Sequence, residues 1–177
     1  MNPARGTPIY VLAAAVLADD AVDTTRDIVV KLAVSGPRFH WRHESPRHQR
    51  LAVDIVAGLD ALHVVVVGMP LDHSRQERAR RKCMERLLRE LDYVGVTEVL
   101  IESRANKPNI KDLQRVNVLR IREAIGPELR VAHGRPLDEP LLWLPDLVAG
   151  TVTSNDITHW TALQGPALCE VHQIKLR

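Results

Sequence analysis

An α/β fold with a substantially parallel sheet is the prediction this sequence supports, and three observations carry it. Short apolar runs rich in β-branched residues alternate with longer amphipathic segments of helical period through most of the chain. One run, Leu62–Met69 (LHVVVVGM), holds four consecutive valines, so it is expected to be buried on both faces at the centre of the sheet. Breakers fall between the runs, at Gly36-Pro37, at Pro70 and at Gly126-Pro127.

Each element follows from its own residues. Ile9–Ala18 (IYVLAAAVLA) is continuously apolar and reads as a buried strand, ended by Asp19-Asp20. A helix is expected over Ala21–Val34, capped by one of those aspartates, with Val22, Ile28, Val29 and Leu32 as its apolar stripe. In Arg38–His43 (RFHWRH), Phe39 and Trp41 alternate with Arg38, His40 and Arg42, which suits a brief strand with one apolar face. Ser45-Pro46 reads as an N-cap with proline at the first helical position, leading into a stripe of Leu51, Ala52, Ile55, Val56 and Leu59.

After the valine strand, a helix is expected over Ser74–Asp92, burying Ala79, Cys83, Met84, Leu87, Leu88 and Leu91. Val96–Ser103 is the next strand, with Val99 and Ile101 on one face and Glu98, Leu100 and Glu102 on the other. The loop Arg104–Asn109 precedes a helix over Ile110–Ile125, followed by a short strand at Glu128–His133 and a loop at Gly134–Pro140. Pro140–Ser154 (PLLWLPDLVAGTVTS) reads as a helix, and Leu168–Lys175 alternates like a terminal or edge strand.

Composition narrows the function classes. The 177 residues suffice for one domain with a real core, and 45% hydrophobic with 26% charged residues is ordinary for a globular protein. A formal charge of +2 permits a nucleic-acid partner without arguing for one. Aromatics at 3% are too few for a base-stacking platform. Cys83 and Cys169 lack metal-ligand spacing and read as buried thiols of a reducing cytoplasm. No apolar run approaches the ~20 residues of a membrane span, and Met1–Pro8 lacks a signal-peptide pattern. Glycine-rich phosphate loops, a G-x-S-x-G elbow and zinc clusters are all missing from the sequence.

Four groups of residues are candidates for chemistry. Asp146 stands alone in an apolar stretch, near the small residues Ala149 and Gly150. A half-buried, unpaired carboxylate is costly, so a partner is expected: a cation, backbone N–H groups or an arginine. Two readings stay open, an acid favoured by the dipole at a helix start with Pro145 in the first turn, and a functional acid. His40, His43 and Glu44 lie at a strand-to-helix corner, as a metal pair if the backbone bends there, as rim residues contacting a substrate or a neighbouring acid, or as solvated side chains. Arg75, Arg78, Arg80, Arg81 and Lys82 concentrate positive charge near one helix start. They read either as a solvated face self-paired through Glu77 to Arg81 and Glu85 to Arg89, or as a phosphate-facing patch. Glu102 ends a strand on the side where open α/β sheets place ligands.

RFHWRHES before a helix, RARRKCMERLLREL, a strand ending in LIES and a late helix reading PLLWLPDLVAG together resemble the bacterial family called domain of unknown function 3800, of the ribonuclease H-like superfamily. The resemblance covers about residues 9–153. Its most specific part is the late helix, where proline replaces the alanine usual before Asp146. It implies one ribonuclease H-like domain, a mixed sheet flanked by helices on both faces, and acids that hold magnesium for phosphodiester hydrolysis. By position, Glu102 and Asp146 are the implied metal ligands and Glu44 a third catalytic candidate. Arg75, Arg78, Arg81, Lys82, His40 and His43 are the implied nucleic-acid contacts.

The family usually opens with a strand bearing Asp-Glu-Ser, whereas Met1–Pro8 contain no acid. Either the reading frame starts upstream of Met1 or the chain has lost that strand and its metal chemistry. A lost strand leaves an unpaired sheet edge. The alternative to a nuclease is therefore a catalytically inactive protein that binds a partner, or itself as a homodimer, through that edge. Neither reading involves a membrane, and both expect a cytoplasmic protein.

Overall fold

The computed structural model describes residues 7–34, 36–154, 157–163 and 168–176. Its strands are β1 (Tyr10–Val16), β2 (Leu62–Met69), β3 (Glu98–Glu102), β4 (Arg130–Gly134) and β5 (Leu168–Lys175). Its α-helices are α1 (Val22–Val29), α2 (Pro46–Ala57), α3 (Gln76–Tyr93), α4 (Asn106–Ile121), α5 (Trp143–Thr153) and α6 (Ile157–Leu163). Among these residues no helix is long and apolar enough to cross a membrane.

The fold is mixed α/β. β2 is central in a three-stranded sheet, antiparallel to β1 and parallel to β5. The valine run explains the layering. Val65 and Val67 face one core with Val53 and Val56 of α2 and Leu144, Leu147 and Val148 of α5. Val64 and Val66 face the other, with Ala79, Cys83, Leu87 and Leu91 of α3. All four valines are fully buried, a gross transfer gain of roughly 8 kcal/mol at about 2 kcal/mol each. β1 obeys the same alternation, with Val11, Ala13 and Ala15 toward α5 and Leu12, Ala14 and Val16 toward α3. Helices thus cover both faces of this sheet.

β3 and β4 form a separate parallel pair. Val99, Ile101 and Val131 pack on a third cluster built from Met84 and Leu88 of α3 and Val116 and Leu119 of α4. Among the described residues there are two sheets rather than one continuous sheet, and α3 packs against both: Leu12 of β1 and Val99 of β3 each touch the two clusters built on it.

Several elements differ from expectation for physical reasons. Arg38–His43 is not a strand; His40 is extended and Trp41–His43 form a 3-10 turn. Its backbone groups are satisfied within the turn, His43 donating to the His40 carbonyl at 2.9 Å, and by side chains, Gln49 donating to the Trp41 carbonyl at 2.7 Å, rather than by a neighbouring strand. The expected helix over Ala21–Val34 is split into a 3-10 turn at Asp19–Ala21, α1, and a second turn at Val30–Leu32. α4 begins at Asn106, inside the expected loop, because Pro108 falls in a first turn where no N–H is needed. Ser45 caps α2 as expected, accepting from the His48 N–H at 3.3 Å.

Candidate functional site

Glu102 ends β3 and Asp146 sits in the first turn of α5, far apart in sequence. The fold brings them to one small pocket of about 40 Å³, lined also by Arg38, Phe39, His40, Pro136, Leu142 and Trp143. That volume suits a water or a bare ion and is far too small for a base.

Each acid already has a basic side chain beside it. Arg38 lies 3.6 Å from Glu102, and His40 Nδ1 lies 3.7 Å from Asp146. Asp146 also accepts the Trp41 backbone N–H at 3.3 Å. Asp146 thus lines the pocket and, through the Trp41 N–H, holds the turn that carries His40. The small residues beside it have a packing purpose. A Cβ on Gly150 would stand 2.2 Å from Cγ of Trp41, so the indole rests against bare backbone.

The remaining candidates divide. Glu44 is turned away from the pocket and buried, 2.6 Å from His48. The backbone does bend at the corner, and the His40 and His43 rings stack with centroids 4.4 Å apart. Stacked rings point their nitrogens along one another's planes rather than at a shared point, a poor arrangement for chelation.

Arg75, Arg78 and Arg81 are exposed on α3 and the turn before it, Arg75 lying 3.3 Å from Asp72. Lys82 donates to the Lys175 carbonyl. Glu85 pairs with Arg89 at 3.0 Å as expected, whereas Glu77 pairs with Arg104 at 2.7 Å rather than with Arg81.

Arg80 leaves the basic patch altogether. It is buried, 2.8 Å from Asp112, which also takes Arg104 at 3.3 Å and lies 3.6 Å from His133. Burial alone would raise the Asp112 carboxyl, but the hydrogen bond and charge of Arg80, helped by Arg104, hold it below the usual carboxylate range. This network joins α3, α4 and β4 and was missed in the sequence. Its signal is an acid on an apolar stripe: Asp112 shares a face with the buried Val116 and Leu119.

A second cluster, Glu90, Glu170 and His172, has three ligand-type atoms within 4.8 Å of one another. Arg86 lies 2.6 Å from Glu90 and donates to His172 Nδ1 at 3.0 Å. With Nδ1 accepting, Nε2 carries the proton and turns it toward Glu90 at 3.5 Å and Glu170 at 3.7 Å. That nitrogen has no lone pair for a metal, and at these distances it makes no hydrogen bond to either acid.

Comparison of this chain with protein-family models, with curated proteins and with solved structures finds no match.

Proposed function

We propose that the protein is a ribonuclease H-like phosphodiesterase acting on nucleic acid, dependent on one Mg²⁺ held by Glu102 and Asp146. The observation that carries this reading is that Glu102 and Asp146 line one small pocket. Hard carboxylate oxygens are the donor set magnesium takes, and one or two of them suffice when waters and substrate phosphate complete the shell. The set fits one ion rather than two, because Glu44 is engaged with His48. When bound, the ion supplies Lewis-acid polarisation of the phosphodiester.

The chain's own residues do the rest. Without the ion, Arg38 lies against Glu102 and His40 against Asp146. With the acids otherwise engaged, the same two side chains turn to a substrate phosphate at the pocket rim. The exposed Arg75, Arg78 and Arg81 hold the flanking backbone electrostatically, so binding weakens with salt. The test is cleavage of end-labelled RNA and DNA oligonucleotides with and without Mg²⁺. Magnesium-dependent cleavage that Asp146→Asn and Glu102→Gln abolish is expected; intact cleavage in Asp146→Asn removes the assignment.

A second reading, a non-catalytic protein that pairs with another copy through an open strand edge, is favoured by the unpaired side of β1. It expects a dimer in analytical ultracentrifugation, and a monomer at micromolar concentration argues against it.

A further inference from the structure

The outward side of a surface helix is ordinarily charged. On α4 it is not. At about 100° per residue, Ile110, Asn117 and Ile121 lie within about 40° of one line, with Asn106, Leu113 and Gln114 beside it. All six are exposed, Ile110 at 54%, Leu113 at 39% and Ile121 at 82%. The opposite side of the helix has its own core, through Val116 and Leu119. The outward series Ile110, Leu113, Asn117, Ile121 is spaced by 3, 4 and 4 residues, the seam along which one helix packs on another.

Charge tells what can cover that seam. Lys107, Lys111 and Arg122 all lie on one flank of it, about 60–120° round from Ile110. Each is exposed, and among the described residues none of the three side chains has an ion-pair or hydrogen-bond partner. The remaining cations of α4 are engaged, Arg115 with Glu85 and Arg120 with the Leu129 carbonyl at 2.6 Å. Asp112, the one acid in α4, is buried on Arg80. The α3 acids Glu77 and Glu85 are held by Arg104 and by Arg89 and Arg115. The face is thus an apolar row with an unbalanced basic flank. Pairing of α4 with α4 of a second copy, parallel or antiparallel, brings no exposed carboxylate to those cations. A bilayer fits no better: Asn106, Gln114 and Asn117 share the face, and hydrocarbon would deny their amides the hydrogen bonds a polypeptide supplies.

We infer that the outward face of α4 docks an acidic amphipathic helix of a partner protein. The apolar stripe of that helix lies along Ile110, Leu113 and Ile121, and its Asp and Glu side chains meet Lys107, Lys111 and Arg122. Asn117, polar within the seam, favours the register that gives its amide a polar partner. This inference is independent of the Mg²⁺ reading and of the dimer reading, since it uses neither Glu102, Asp146 nor β1.

The test is selection from a displayed library of helical peptides with a fixed Leu/Ile stripe and flanking positions randomised among Asp, Glu, Gln, Ser, Lys and Arg. Binding is in EDTA and without nucleic acid, so failure of the phosphodiesterase reading leaves it untouched. Peptides retained by the full chain are expected to be enriched in Asp and Glu along one flank. They should bind ~10-fold or more weakly to the Ile110→Ser/Ile121→Ser chain. The Lys107→Glu/Lys111→Glu/Arg122→Glu chain is expected to lose them and to select Lys and Arg at the same positions. All five altered side chains are exposed, so Tm should stay within about 3 °C of the parent in both variants. No retained peptide, or a flank composition that charge reversal leaves unchanged, overturns the inference. Phosphatidylglycerol vesicles and a single-stranded oligonucleotide are tested alongside. If either is retained more tightly than the peptides, lost on charge reversal and kept by Ile110→Ser/Ile121→Ser, the face is a plain basic surface and the inference fails.

Discussion

Gly150→Ala tests how the candidate site is seated. Alanine inside a helix normally gains about 0.5–1 kcal/mol over glycine. Here the new methyl would stand 2.2 Å from Cγ of Trp41 and 2.5 Å from Cδ1 and Cδ2, and Cγ is the root of the ring rather than its movable end. Ordinary carbon contacts need about 3.5 Å, so the indole has to withdraw by roughly 1.3 Å. Trp41 is buried and its N–H donates to Asp146, so the turn Trp41–His43 has to move with it. Overpacking of this kind costs about 1–3 kcal/mol, and a strained hydrogen bond to a carboxylate adds about 1.5 kcal/mol. The clash outweighs the helix propensity, leaving a net loss of about 3 kcal/mol, or ~6–12 °C in Tm for a chain of this size. Urea denaturation followed by tryptophan fluorescence and circular dichroism measures it. In a Trp41→Leu background the penalty should largely disappear, because the ring is gone. A neutral or stabilising Gly150→Ala, or the same cost in both backgrounds, refutes the packing argument.

Two further outcomes follow from buried charge. Burial pushes His63 down to about 4, only partly opposed by the Val56 carbonyl. The unfolded chain takes its proton first, so stability is complete above about pH 7 and falls as pH drops from about 6.5 toward 4, by about 3 kcal/mol in all. His63→Leu should flatten that part of the pH–stability curve, and an unchanged curve rejects the assignment. Asp112→Ala leaves the buried Arg80 guanidinium without its carboxylate and should cost about 3–5 kcal/mol in urea unfolding at pH 7; a loss under about 1 kcal/mol would mean that water reaches Arg80.

What the sequence revealed, and what it hid, divides by the range of the interactions involved. β2 and β5 have the expected ends because their limits are set by residues within them, the valine run closed by Pro70 and the alternation from Leu168 to Lys175. Ser45-Pro46 marked the start of α2 for the same local reason. Arg38–His43 looked like a strand because Phe39 and Trp41 alternate with polar residues. Both are buried, but against α5 and α2 rather than in a sheet, and only tertiary contacts with Asp146 and Gln49 decide that. α4 was set too late because Ala105 offers no side-chain cap at its start. The division into two sheets is a question of pairing, which strand composition does not encode. The meeting of Glu102 with Asp146 was anticipated only through a family resemblance. The basic side chains beside them, Arg38 and His40, sit in plain view in RFHWRH without any local sign of which acids they face.

Those two basic side chains flank Phe39, which is itself buried. Their backbone is therefore anchored in the core, which keeps both groups at the rim of the pocket. Arg38 acts as a resident counter-ion to Glu102 on a short tether, with His40 held as closely beside Asp146, at an effective concentration set by the chain rather than by the solution. Any visiting ion has to outcompete them, so the mouth of β3 should discriminate by charge density: monovalent salt has little to offer the carboxylates that the protein does not already provide, and a compact divalent ion has more.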